Sequence, residues 1–230
     1  MRDARRDAGG ASQRSKFPDR SSAGLQLAEV LGGYAGRDDA VVLALPRGGV
    51  PVAAQVARRL GLDLDVLVTA KMGAPGQEEL ALGAVGPGGV SVANDELRKA
   101  LRLPARALDA LADEARAEVE RREREYRGAQ APPPRVEGRT AILVDDGLAT
   151  GASMRAAVAA VRRMGAARVV VAVPVGARDS CDALRREADE VHCLAVPSLL
   201  RAVGEHYDDF EQVSDEEVRQ LLCHDGDGGD

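Results

Sequence analysis

Short apolar runs alternate with amphipathic segments along most of the chain. Runs such as 41–45 and 141–144 are continuously hydrophobic, which predicts strands buried on both faces. Longer segments between them, such as 50–60 before Gly61, repeat apolar residues at helical spacing and end at a glycine. This alternation predicts an α/β fold with a central parallel sheet and helices on both of its faces.

The pattern also sets the domain limits. Residues 17–222 are predicted to form a single domain, with 95–127 as a helical insertion, while 1–16 and 223–230 offer little to bury and are predicted disordered tails. Residues 72–85 are punctuated by glycine and proline and are predicted to be a mobile loop. The predicted elements are a helix 25–31 capped by Ser21 or Ser22, strand 41–45, helix 50–60, strand 64–70, a hairpin over 84–92, helices in 95–127 broken near Pro104, strand 141–144, helix 152–164, strand 169–173, helix 178–188, strand 190–195 and a helix from Ser214 to about 222.

Composition and charge exclude several classes of protein. Hydrophobic residues make up 45% and charged residues 30% of 230 positions, and no apolar run approaches the roughly 18 residues of a membrane span. The net charge of -6 lacks the positive field on which general nucleic-acid binding depends. Three cysteines without metal-ligand spacing predict reduced thiols and a cytoplasmic protein.

One segment carries most of the candidate chemistry. Residues 142–153 read Ile-Leu-Val-Asp-Asp-Gly-Leu-Ala-Thr-Gly-Ala-Ser, a buried strand that delivers Asp145 and Asp146 to a tight loop opening a helix. The loop amides and the helix dipole suit a phosphate, with the Thr150 and Ser153 hydroxyls as further donors. Paired carboxylates beside a phosphate need neutralising partners, and ribose hydroxyls and hydrated Mg2+ are the natural ones.

Other phosphate-binding and catalytic motifs do not match the sequence. The P-loop pattern and the dinucleotide-binding G-x-G-x-x-G after a strand are both absent. The segment that begins at Gly151 lacks the second glycine of a nucleophile elbow.

The segment 142–153 resembles the phosphoribosyl-pyrophosphate (PRPP) signature of type I phosphoribosyltransferases, most closely that of the adenine type. From about Phe17 to Leu222 the chain is similar to bacterial predicted phosphoribosyltransferases of unassigned substrate. The resemblance implies a pentosyltransferase enzyme with a small hood formed by 17–31 and 195–210. It also implies that Asp145 and Asp146 bind the ribose hydroxyls and the water shell of Mg2+. The implied substrate-binding residues of this loop are Gly147, Leu148, Ala149, Thr150, Gly151, Ala152 and Ser153.

The resemblance implies a second set of contacts for the pyrophosphate. Arg47, Gly48 and Gly49 follow the first core strand, where the family keeps its pyrophosphate loop, and glycine lets the backbone approach an oxyanion closely. Lys71, one of only three lysines, follows the strand predicted for 64–70, where related enzymes often carry a basic residue. Arg47 and Lys71 are therefore expected to stabilise the leaving group.

The implied reaction displaces pyrophosphate from ribose C1 by a nitrogen nucleophile, with residues 72–85 as a lid that excludes water. Hypoxanthine-guanine-type relatives carry an acid where this chain has Ala149, so a general base would come from elsewhere, with Glu79 as a candidate, or would be unnecessary. Tyr207, in the hood, is a candidate for stacking on the acceptor.

Two alternatives remain open at this point. The same fold can serve as a PRPP- or nucleotide-sensing regulator without transferase activity, although no added DNA-binding helix pair or basic face is visible. A receiver-like domain would use the Asp pair for Mg2+ and phosphorylation. The expected partners are small molecules, PRPP and an unidentified acceptor, and not a membrane or nucleic acid; a homodimer is left open.

Overall fold

The computed structural model describes residues 16–128 and 132–223. Most of the two predicted tails, 1–15 and 224–230, lies outside these residues. The strands are β1 (Ala40–Ala44), β2 (Asp63–Val66), β3 (Ala70–Ala74), β4 (Gln77–Val85), β5 (Ser91–Ala93), β6 (Thr140–Val144), β7 (Arg168–Val175) and β8 (Glu190–Ala195). The helices are α1 (Arg20–Val30), α2 (Gly49–Leu60), α3 (Asp95–Ala100), α4 (Ala105–Arg127), α5 (Ala152–Arg163), α6 (Arg178–Leu184) and α7 (Asp215–Cys223).

A five-stranded parallel sheet in the order β2-β1-β6-β7-β8 forms the centre of the protein. Every residue of β1 and β6 is buried, as the continuous apolar runs predict. One core lies between the sheet and α1, α2, α4 and α7, and a second lies between the opposite face and α5 and α6. The predicted α/β fold with helices on both faces is therefore confirmed.

A second, three-stranded antiparallel sheet of β3, β4 and β5 corrects two predictions. The apolar run 64–70 is not one strand: β2 ends at Val66, the amide of Leu67 still donates to the Ala44 carbonyl (2.9 Å), and the chain then leaves the central sheet. The supposed loop 72–85 is mostly a hairpin of β3 and β4, whose pairing shifts in register between Met72 and Ala74. Its strands were missed because small residues weaken the two-residue alternation by which a strand is recognised. The predicted hairpin over 84–92 matches β4 and β5.

The first helix begins earlier than predicted. Asp19, not Ser21 or Ser22, is its N-cap, and its carboxylate accepts a hydrogen bond from the Ser22 amide (2.6 Å). α1 packs closely on α2, since a Cβ on Gly24 would lie 2.5 Å from the Val52 carbonyl oxygen. This packing fixes Arg20 at the start of α1.

The helical insertion is anchored to the domain by its inner face. Ala115, Val119 and Tyr126 of α4 are buried. At its end, Arg127 donates to both oxygens of Asp65 on β2 (2.7 and 2.8 Å). α4 is thus held in a fixed register against the sheet.

Candidate active site

Residues 145–151 form the loop that leaves the carboxyl end of β6, the middle strand of the parallel sheet, and leads into α5. Ligands of open α/β sheets bind at this edge, in front of the loops that leave the strands. The loop from β6 reaches α5 through Gly151, whose φ of 73° lies in the left-handed region that favours glycine.

Asp145 and Asp146 lie half-buried at the start of this loop. One oxygen of Asp145 accepts a hydrogen bond from the Asp146 amide (2.8 Å), and Oδ2 of Asp146 accepts one from Nε of Arg20 (2.9 Å). Burial, and then the charge of Asp146, raise the pKa of Asp145 well above its ordinary value. Burial also raises the pKa of Asp146, while Arg20 opposes that rise. The two carboxyls therefore repel each other when both are ionised, and Arg20 offsets that repulsion only in part.

Contacts behind the loop hold its backbone in place. Leu148 is buried, its amide donates to the Val175 carbonyl (2.8 Å), and its carbonyl accepts from the Ala177 amide (2.8 Å). Ser180 Oγ donates to the carbonyl of Ala149 (2.6 Å). Leu148 therefore anchors the loop to β7, and its amide is not available to a ligand.

The remaining loop amides are available. Within the described residues, the amides of Ala149, Thr150, Gly151 and Ser153 donate to no protein acceptor. The Thr150 hydroxyl accepts only a long hydrogen bond from the Ala152 amide (3.5 Å). Unpaired amides at the start of a 12-residue helix form a preorganised anion site.

The loop after β1 packs directly against the acidic pair. A Cβ on Gly48 would lie 2.0 Å from Oδ2 of Asp146, and a Cβ on Gly49 would lie 2.7 Å from the Val144 carbonyl oxygen. Nη1 of Arg47, the next residue back, lies 3.7 Å from Oδ1 of Asp215 on α7. The structure thus brings the two predicted loops together, and only glycine permits their close approach.

A cleft of about 110 Å³ opens in front of these loops. Asp145, Ser153, Pro46 and Thr69 line it, together with Arg122 from α4. Arg20 and Arg122 were both missed by sequence reasoning. The chain has 31 basic residues, so neither arginine stands out by type or spacing.

Two predicted residues lie away from the cleft lining. Lys71 does not end a strand of the central sheet as predicted; it is an exposed residue of β3, paired in register with Ala84. The backbone of Glu79 lies in β4, and its side chain lies outside the described part of the structure. Their roles stay predictions.

Tyr207 contacts the site through its hydroxyl rather than an open ring face. It is 2% exposed, its ring centroid lies 5.5 Å from that of Phe17 and 5.0 Å from that of Phe210, and its hydroxyl donates to the Asp146 carbonyl (2.6 Å). Arg20 completes this cluster, with its guanidinium 3.8 Å from the centre of the Phe210 ring. The segments predicted to form the hood therefore contact each other and hold residues 145–151, the acidic loop, in place. The predicted stacking of Tyr207 on an acceptor has no support from this buried position.

Comparisons with known proteins agree on the family. The model of the phosphoribosyl transferase domain matches residues 25–209. The Mycobacterium tuberculosis protein named "Putative phosphoribosyl transferase Rv0571c" is 48% identical over 206 residues, which are 90% of this chain and 46% of that protein. The chain thus spans about half the length of this curated relative.

Solved structures show the same fold. The crystal structure of TT1426 from Thermus thermophilus is 45% identical, with a TM-score of 0.83 over 91% of this chain and 98% of that one. AQ2163 from Aquifex aeolicus shares the fold at 11% identity and a TM-score of 0.50, covering 80% of this chain and 78% of its own. These similarities do not support the receiver-like alternative. The chain belongs to the phosphoribosyl transferase domain family.

Proposed function

We propose that this protein binds PRPP with Mg2+ and transfers the phosphoribosyl group to a nitrogen nucleophile, a nucleobase or related acceptor, releasing pyrophosphate. One observation carries the proposal: two half-buried carboxylates lie directly before a set of unpaired loop amides at the start of α5. A ligand that combines a sugar diol with a phosphate matches both features at once.

The 5-phosphate would bind the amides of Ala149, Thr150, Gly151 and Ser153. These donors are held in place before the ligand arrives because Leu148 is anchored to β7 and α6. The ribose hydroxyls would donate to the free oxygens of the acidic pair. The pyrophosphate would lie along Arg47, Gly48 and Gly49, where the absence of side chains lets an oxyanion reach the backbone.

The acidic pair also fits a hydrated magnesium ion. Its two carboxylates have raised pKa values and only Arg20 as a cationic partner among the described side chains, so a further cation would relieve their repulsion. Asp145 and Asp146 would hold Mg2+ through its water shell. When bound, Mg2+ would neutralise charge on the departing pyrophosphate.

The loop itself offers no general base, since Ala149 occupies the position of an acid in hypoxanthine-guanine-type relatives. An acceptor that is already nucleophilic, or a base from outside the loop, is therefore part of the proposal. The protein would act mainly by positioning and by excluding water from ribose C1. We place this activity in the cytoplasm, in keeping with three free thiols. No helix in the described ranges is long and apolar enough to cross a membrane.

Calorimetric titration of PRPP with and without Mg2+ tests the binding step. We expect saturable binding that Mg2+ strengthens, followed by pyrophosphate release when nucleobases and small amines are screened as acceptors. Absence of Mg-dependent binding would overturn the proposal. Binding without turnover on any acceptor would favour a PRPP-sensing regulator, for which no separate structural observation speaks.

A further inference from the structure

Helix α4, the insertion, contributes a basic residue to the cleft. Among the described residues that line the cleft, Arg122 is the only cation, and it reaches the cleft from a different part of the chain than Pro46, Thr69 and Asp145. Those three residues follow the ends of β1, β2 and β6. Arg122 therefore adds a positive charge to a cleft in which the described strand-end loops supply only the acidic Asp145 as a charged lining residue.

The position of Arg122 is fixed by its neighbours on the helix. Tyr126, four residues later, donates from its hydroxyl to Oδ1 of Asp215 (2.8 Å), and Asp215 also lies next to Arg47. Val119, three residues earlier, is buried in the core. Residues three and four apart share one helix face, so Arg122 lies on the face that α4 turns toward the pyrophosphate loop.

The Arg122 side chain pairs with Glu118, and a bound phosphate could replace this partner at little cost. Its Nε lies 2.6 Å from a Glu118 oxygen, and the two side chains are 41% and 36% exposed. An exposed ion pair of this kind contributes only about 0–1 kcal/mol. A phosphate, which matches the guanidinium fork with two hydrogen bonds, would compete readily with Glu118.

The order of the strands indicates which phosphate Arg122 meets. The free amides of the loop lead from β6 into α5, and of their residues only Ser153 lines the cleft. Most of the remaining lining, residues 45–46 and 67–69, lies over the neighbouring ends of β1 and β2. If the loop amides hold the 5-phosphate and Asp145 and Asp146 hold the diol, the group that extends over β1 and β2 is the one on ribose C1. That group is the pyrophosphate.

We propose that Arg122 binds the pyrophosphate moiety of PRPP and is a substrate-binding residue supplied by the helical insertion. This inference rests on the proposed function and assigns to Arg122 a role that sequence reasoning gave to Lys71. It explains why α4 is tied at its end to β2 by Arg127 and Asp65, since a rigid helix positions the guanidinium accurately.

The test compares Arg122→Met with Arg121→Met as a matched control. Arg121 is the preceding residue, it also pairs with Glu118 (2.9 Å), its side chain is 56% exposed, and it does not line the cleft. Binding of three ligands is measured by calorimetry: PRPP, inorganic pyrophosphate and ribose 5-phosphate. Melting curves establish that both variants fold.

We expect Arg122→Met to weaken PRPP and pyrophosphate binding by about tenfold to a hundredfold, as loss of a charged hydrogen bond predicts. Its affinity for ribose 5-phosphate should change less than about twofold, and Arg121→Met should bind all three ligands like the wild type. Arg122→Lys, which keeps the charge but not the planar fork, should fall between the wild type and Arg122→Met.

The outcomes separate this inference from the proposed function. If the wild type binds PRPP and Arg122→Met binds it equally well, Arg122 has no such role and the proposed function stands. Equal losses for pyrophosphate and ribose 5-phosphate, or equal losses in Arg121→Met, would show a general charge effect and overturn the assignment. A wild type that binds neither PRPP nor pyrophosphate would overturn both.

Discussion

Replacing Gly48 by Ala separates the function of the acidic loop from its folding. The backbone at Gly48 has φ -59° and ψ -31°, ordinary helical values that alanine adopts without strain. The added Cβ, however, would lie 2.0 Å from Oδ2 and 2.6 Å from Cγ of Asp146. Ordinary contacts begin near 3.5 Å, so the carboxylate must retreat by more than about 1 Å.

The displaced atoms are the carboxylate end of the Asp146 side chain, which can rotate without moving the backbone. The loss of stability should therefore be moderate and the loss of binding large. Rotating the carboxylate loses its hydrogen bond from Arg20, so we expect a cost of about 1–3 kcal/mol and a fall in melting temperature of roughly 2–10 °C. A misplacement of about 1 Å in a positioning group costs about a hundredfold in function. Calorimetry should therefore show PRPP affinity reduced by about two orders of magnitude in a folded protein.

Two other glycines give the controls. In Gly49→Ala the new Cβ meets backbone, the Val144 carbonyl oxygen at 2.7 Å and Cα of Asp145 at 2.9 Å, so stability should fall further, by about 3 kcal/mol. Gly32→Ala meets nothing within 4 Å and should behave like the wild type. Two results would refute this reasoning. One is that Gly48→Ala binds PRPP as tightly as Gly32→Ala does, and the other is that it unfolds as readily as Gly49→Ala.

Three further variants and one pH dependence probe the same centre. Asp145→Asn combined with Asp146→Asn should abolish PRPP binding while leaving the melting temperature unchanged or higher, because an amide oxygen still accepts the hydrogen bond from Arg20 and relief of the repulsion between the two carboxylates offsets the weaker contact. Collapse of the fold would instead make the pair structural. Burial raises the pKa of both carboxyls, so these two groups bind protons more tightly in the folded than in the unfolded chain, and their contribution to stability is lost as pH rises above about 4. Melting curves should therefore show the double variant gaining stability relative to the wild type as the pH rises through that range. Arg20→Met should lower stability by about 1–3 kcal/mol and weaken PRPP binding, with Arg20→Lys recovering part of both losses, and unchanged affinity in Arg20→Met would remove this arginine from the site. Tyr207→Phe should lower the melting temperature by roughly 2–4 °C through loss of a buried hydrogen bond of about 1 kcal/mol, whereas a melting temperature equal to that of the wild type would show that water replaces the bond.

The sequence alone determined the central fold and the chemistry of one loop. Strands buried on both faces appear as unbroken apolar runs, so β1, β6 and β7 could be predicted closely. The edge strand β8 was also predicted, although its residues are only half-buried. The letters from Asp145 to Ser153 indicate a phosphate loop because its parts are adjacent in the chain and act through backbone geometry that short-range sequence controls.

Only the tertiary structure decided which distant residues meet that loop. Arg20 contacts Asp146 from 126 positions away, through the packing of α1 on α2 and of the hood on both. Arg122 reaches the cleft from α4, which packs against β3, β4 and α7, and Lys71 is absent from the cleft lining because the chain changes sheets after Val66. Local patterns record which face of an element is apolar, but they do not record which elements become neighbours. The acidic loop could therefore be read from the sequence, and its cationic partners could not.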